Sequence, residues 1–250
     1  MKAPVIEIEG LDVKLGANPT IRQLNLRVQE GETLCLIGKN GSGKSTLLKT
    51  LTALVPIENG VVQVLGRRVD ALGKKELRVL RSQVGQVFQG LHLVARLNVL
   101  QNVLIGRLSH QSTYPLKANS LFRKFAAADI EIAKDALKSV QMSHKMNART
   151  DSLSGGEMRK VAIAMALAQE SKLLICDEPT GSLDPQAAMQ ITALLSRLVR
   201  DNHLTMITVV HSLQLLKELG GRVIGMRAGE VILDKNQSEI SEKELESLYV

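Results

Sequence analysis

A chain of 250 residues, 44% of them apolar, can bury a sizeable core and form one compact domain with lobes. Its 32 Lys and Arg against 25 Asp and Glu leave a net charge of +7, which fits nucleic acid or an anionic membrane surface, but no long basic run occurs and only 2% of residues are aromatic, so a solvated basic surface is the expected reading. Cys35 and Cys176 lie in apolar runs and read as small buried hydrophobes of a reducing compartment, not as a disulfide or a metal site.

The start, Met1 to Gly10, mixes charged and apolar residues without an apolar block of signal-peptide length. The longest apolar run, Val161 to Ala168, falls far short of the roughly 20 residues that span a bilayer. The expectation is a soluble protein that reaches a membrane only through partners.

Val5 to Val13 and Ile21 to Val28 alternate as strands do, and Thr33 to Ile37 is a short apolar run of strand formers. A glycine-rich turn follows at once: Gly38, Lys39, Asn40, Gly41, Ser42, Gly43, Lys44 and Ser45. Two glycines flanking four residues, with Lys-Ser next, form a phosphate-binding pattern. Glycine lets the backbone bend until several N–H groups point inward. Lys44 then meets the β- and γ-phosphates, Ser45 offers a hydroxyl to Mg²⁺, and Thr46 continues the cradle into the helix it opens. Helical spacing runs from Ser45 through Leu54, closed by Pro56 and Gly60, and Gly60 to Leu65 is another strand.

Asn98 to Met146 carries apolar-periodic segments with almost no strand signal, which predicts a helical insertion with a loop around Ser109 to Asn119. After Ser152 helix and strand alternate: Glu157 to Gln169 helical, Leu173 to Cys176 strand, Pro185 to Asp201 helical, Thr205 to Val210 strand. That alternation predicts an α/β protein with a parallel sheet. Val223 to Met226 and Glu230 to Leu233 read as a closing hairpin, and Ser238 to Val250 as a charged terminal helix. The strand Leu173 to Cys176 ends in Asp177 and Glu178, which it delivers to the sheet's carboxyl edge: the first can hold Mg²⁺ through water, the second can polarise an attacking water.

Leu153-Ser154-Gly155-Gly156-Glu157, upstream of that strand, resembles the signature sequence of ABC ATPases at the interval the family uses. Gln89 in Val87-Phe88-Gln89, the turn Ser182-Leu183-Asp184 and His211 stand where that family places its remaining elements, so the resemblance covers essentially the whole chain. It implies a P-loop NTPase core with a mostly parallel sheet, an N-terminal antiparallel β subdomain and an α-helical subdomain, with residues 1–89 and 158–250 as core and 90–157 as the helical signature lobe. By resemblance, ATP and Mg²⁺ are the cofactors; Gln89 reaches the metal and the attacking water; His211 contacts the γ-phosphate; and Asp184 bridges two subunits. Ser154, Gly155 and Gly156 bind the γ-phosphate held by the other subunit's loop, so a chain with one loop and one signature must pair with itself or a near relative.

Two departures stand out. The stretch Val13-Lys14-Leu15-Gly16 lacks the Tyr or Phe that relatives place there against adenine, and Glu157 occupies a position where Gln is commoner. Leu97 to Leu108, the loop from Tyr114 to Phe125, and Leu245-Glu246-Ser247-Leu248-Tyr249 resemble the ATPase subunits of phosphonate importers. The implied partners are permease subunits and a separate substrate-binding protein at the cytoplasmic face of the membrane, with no nucleic acid. An amino-acid importer, a lipoprotein or macrolide exporter, and a non-transport ABC ATPase remain as alternatives.

Overall fold

The computed structural model describes residues 3–16, 18–110, 125–241, 243, 244 and 248. The expected loop around Ser109 to Asn119, the stretch Tyr114 to Phe125 and most of the terminal segment Leu245 to Tyr249 lie largely outside the described residues. Two compact units form: residues 1–89 with 172–250, and residues 90–171.

The first unit holds two sheets. Strands β1 (Ile6–Leu15), β2 (Asn18–Val28), β4 (Asn59–Val64) and β5 (Arg67–Arg68) make an antiparallel sheet in the order β2-β1-β4-β5. Alternation produces it: Ile6, Ile8, Leu11 and Val13 turn inward from β1, as Ile21, Leu24, Leu26 and Val28 do from β2. At Gly10, with φ +56°, the β1 register shifts, and that glycine's carbonyl closes so near Gly60 that a Cβ on Gly60 would lie 2.4 Å from it.

The second sheet contains β3 (Thr33–Ile37), β6 (Val84–Val87), β7 (Leu173–Cys176), β8 (Thr205–Val209), β9 (Arg222–Arg227) and β10 (Glu230–Asn236), in the order β10-β9-β3-β8-β7-β6. All neighbours are parallel except the closing pair β9–β10. Every residue of β7 and β8 is buried, as befits parallel strands covered on both faces. Helix α6 (Pro185–Asp201) buries Ala188, Ile191, Leu194, Leu195 and Leu198, one face of a 3.6-residue repeat. The α/β class, the parallel sheet and the N-terminal antiparallel subdomain expected from the sequence are all present.

In the second unit, α3 (Val99–Ile105), α4 (Ala127–Ser139) and α5 (Gly155–Ala168) pack on one another. Buried Arg107 ties them, donating to Asp129 Oδ1 (2.9 Å) at the start of α4 and to the Ala168 carbonyl (2.7 Å) at the end of α5. The sequence reading ended this lobe at Glu157, whereas the compact unit runs to Ser171. Helix α5 begins at the signature and buries Val161, Ala162, Ile163 and Ala164, so the whole helix belongs with α3 and α4.

Other differences are local. Helix α1 (Lys44–Thr50) stops a turn before Leu54, because Ala53 takes φ +51° and Arg81 donates to the carbonyls of Thr52 (2.9 Å) and Ala53 (3.1 Å). Helices α2 (Lys74–Ser82) and α7 (Leu213–Leu219) and strands β5 and β6 were not expected. In the segment read as a terminal helix, Gln237–Glu239 form a 3-10 turn, and of the described residues beyond it Lys243 and Glu244 are helical. Among the described residues, no helix is long and apolar enough to cross a membrane.

Candidate active site

In the first unit, β3 runs straight into the glycine-rich turn. Gly38 has φ +140°, and a Cβ there would lie 2.1 Å from the Met226 carbonyl of β9; Gly43 has φ +103° and a Cβ there would lie 2.8 Å from the Thr20 carbonyl of β2. Glycine is therefore required at both positions for space as well as for dihedral. Gly41 also takes a positive φ, +81°, and Lys39, Asn40 and Gly41 are exposed along the curl.

The Lys44 ammonium turns back into this curl and donates to the carbonyls of Gly38 (2.7 Å) and Lys39 (2.8 Å) and to Ser42 Oγ (3.4 Å). Only 5% of Lys44 is exposed, and burial pulls its pKa below the ordinary lysine value while Glu178 and Asp177 act to raise it. Ser45, the next residue, donates its hydroxyl to Asp177 Oδ1 (2.9 Å), which links the start of α1 to the end of β7. Thr46 follows, half-buried, in α1.

Asp177 is anchored by its own N–H, which donates to the Val87 carbonyl (2.9 Å) at the end of β6. Gln89 follows β6 at that same carboxyl edge and is exposed. Glu178 has φ +51°, uncommon for a side-chain-bearing residue, and its Oε1 shares a 2.7 Å hydrogen bond with His211 Nε2 beyond β8. The resemblance implies a γ-phosphate contact for His211, and the structure gives that imidazole the Glu178 carboxylate as a partner. Asp184 caps α6, its Oδ1 accepting from the Ala187 N–H (2.9 Å) ahead of Pro185. Leu15, in the stretch without an aromatic, is half-exposed at the end of β1.

In the second unit, Ser154 caps α5, with Gly155 and Gly156 as its first two residues. The Glu157 N–H donates to Ser154 Oγ (3.3 Å), and the Ser154 N–H donates to Glu157 Oε2 (3.0 Å), a reciprocal capping box. Lys145 pairs with the other carboxylate oxygen and holds the Glu157 carboxyl below its usual range.

The family described as ABC transporter matches residues 21–181, from β2 through the phosphate turn and the signature to the carboxylates after β7. The chain belongs to the ABC transporter family. It is 36% identical to the phosphonates import ATP-binding protein PhnC of Lactobacillus gasseri, covering 98% of this chain and 93% of that one, and 36% identical to PhnC 1 of Ruegeria sp., covering 98% and 94%. Among solved structures it is similar to cbiO1 of Clostridium perfringens, described as part of the ABC transporter complex cbiONQ, with a TM-score of 0.83, 28% identity and coverage of 98% and 93%. It is also similar to the ATP-binding cassette MJ0796 in a dimeric post-hydrolysis state bound to ADP and Pi, with a TM-score of 0.76, 27% identity and coverage of 93% and 98%. As an ABC ATPase subunit, the chain hydrolyses ATP to drive transport. Within this family the residues at the carboxyl ends of β3, β6, β7 and β8 form one candidate catalytic edge.

Proposed function

We propose that this ABC ATPase powers import of a phosphonate or a related phosphorus oxyanion, working as one half of a nucleotide sandwich. The observation that carries the catalytic part is the convergence of Lys44, Ser45, Asp177, Glu178 and His211 at one sheet edge. The names of relatives such as those of Lactobacillus gasseri and Ruegeria support the cargo.

In this reading the turn Gly38 to Ser45 with Thr46 wraps the phosphates of ATP through backbone N–H groups. The Lys44 ammonium gives up its loop carbonyls for phosphate oxygens. The oxygen donors Ser45 and Asp177, already paired, and the nearby amide Gln89 suit a hard ion such as Mg²⁺, which takes few protein ligands and completes its shell with phosphate and water. When bound, that ion supplies charge neutralisation at the β- and γ-phosphates. Glu178 orients and polarises the attacking water, and His211 fixes the Glu178 carboxylate and reaches toward the γ-phosphate.

One chain supplies one turn and one signature. Ser154, Gly155 and Gly156 therefore complete the ATP site of a second subunit, most simply a second copy, and Asp184 contributes to the bridge between the two. Permease subunits hold the pair at the cytoplasmic face of the membrane, and a separate binding protein delivers the cargo.

The test is reconstitution of this chain with permease and binding-protein subunits of a phosphonate importer, in proteoliposomes with ATP inside. Methylphosphonate outside, with binding protein, should stimulate hydrolysis and be taken up. Stimulation by an amino acid instead, with none by phosphonate, phosphite or phosphate, contradicts the cargo assignment.

A further inference from the structure

We infer that Lys145 is a positioning residue for phosphate bound at Ser154, acting by cancelling the charge that Glu157 brings to the first turn of α5. The inference rests on the reading of Ser154 to Gly156 as the site that meets the other subunit's ATP.

Both oxygens of the Glu157 carboxylate are engaged: one by the Lys145 ammonium, the other by the Ser154 N–H at 3.0 Å. The Ser154 hydroxyl accepts from the Glu157 N–H at 3.3 Å, so this cap does not consume its own proton, which can be donated outward. The capping box thus aims the serine, but a carboxylate there places negative charge one turn from an incoming triphosphate. An amide would aim the serine equally well without that charge. Lys145, carried on the turn Ser143–Lys145 after α4, supplies the opposite charge from outside the helix. Lys145 and Glu157 are only 36% and 26% exposed in their side chains, so solvent screens the pair incompletely. Arg149 and Asp151 satisfy each other and add no net charge, and Arg159 and Lys160 follow on α5 itself, whereas Lys145 is the cation that pairs with the Glu157 carboxylate.

This division of labour predicts a rescue that simple packing does not. In a Glu178→Gln background, chosen to preserve ATP, ATP-driven pairing is followed by analytical ultracentrifugation, and ATP affinity of the monomer is titrated alongside. Lys145→Met should weaken pairing by about 10-fold, the order expected for one uncompensated charge near the bound phosphate, without changing monomer affinity for ATP. Raising salt should shrink the deficit, and Lys145→Arg should avoid it. The decisive variant is Lys145→Met with Glu157→Gln, which should pair within about 2-fold of the background protein because the amide keeps the Ser154 bond without charge. Unchanged pairing in Lys145→Met overturns the inference. So does a double variant as weak as Lys145→Met alone, which would make Lys145 a packing residue. If the background protein itself stays monomeric with ATP and Mg²⁺, the sandwich reading fails and this inference falls with it.

Discussion

Glu178 Oε1 and His211 Nε2 lie 2.7 Å apart at the carboxyl ends of adjacent parallel strands, β7 and β8, although 33 positions separate them in sequence. Glu178 reaches that position with φ +51°, a dihedral uncommon for a side-chain-bearing residue. If Glu178 is the base, Glu178→Gln should cut ATP turnover in the assembled transporter by on the order of 10²-fold or more and leave ATP binding nearly intact. His211→Ala should cost less, about 10-fold, because the carboxylate remains but loses its lateral support. Near-parent turnover for Glu178→Gln contradicts the assignment.

Lys44 sits inside the phosphate turn with its charge already opposed by burial. Lys44→Ala removes the ammonium that donates to the Gly38 and Lys39 carbonyls, and ATP affinity should fall by roughly 10² fold, as expected for losing charge-assisted hydrogen bonds worth about 1.5–3 kcal/mol each. The sign of the pH dependence follows from the lowered pKa. Phosphate favours the protonated amine, so ATP affinity should fall as pH rises through the depressed pKa of the free protein, beginning below the ordinary lysine range. Calorimetric titration between pH 7 and 10 checks both expectations. A Kd unchanged in Lys44→Ala would remove the turn from the site.

The turn between β9 and β10 braces the phosphate turn from behind. The Gly229 N–H donates to the Ser42 carbonyl (3.1 Å), and the Arg22 N–H donates to the Gly229 carbonyl (3.0 Å). Gly229 has φ +87°, and a Cβ there would lie 2.5 Å from the Thr20 carbonyl. Gly229→Ala should therefore destabilise the protein by about 2 kcal/mol in chemical denaturation, from the left-handed dihedral and the close backbone contact. It should also weaken ATP binding, although Gly229 is not expected to touch nucleotide. Parent-like stability and affinity together would show that the brace carries no load on the turn.

What the sequence made legible were features set by local spacing. The turn Gly38 to Ser45 follows a run of strand formers, and the apolar strand Leu173 to Cys176 points to Asp177 and Glu178 because a strand end fixes where the next residues go. The Glu178–His211 and Lys145–Glu157 contacts stayed hidden because they depend on which strands neighbour one another and on where a turn outside α5 folds back. Strand β6 was missed because Val84–Val87 is four residues long with Gly85 inside it, and α2 because its charged residues leave few apolar positions to mark a period. The helix start at Gly155 and Gly156 follows the signature and not composition, because both are poor helix formers whose helicity is imposed by the Ser154–Glu157 box. Space was invisible as well: nothing in the sequence indicates that Met226 and Thr20 crowd Gly38 and Gly43.

The central claim is that the helix start at Ser154 serves another subunit's ATP, and Gly156→Asp tests it most directly. The substitution adds bulk and negative charge at the second residue of α5, in a unit distinct from the one that carries Lys44 and Asp177. ATP affinity of the isolated monomer and hydrolysis in the assembled transporter are measured side by side. The account predicts monomer affinity within about 2-fold of the parent, with ATP-driven pairing abolished and hydrolysis reduced by on the order of 10²-fold or more, as for loss of a phosphate-facing electrostatic contact. Loss of ATP affinity in the monomer, or full hydrolysis in the assembled transporter, would contradict it.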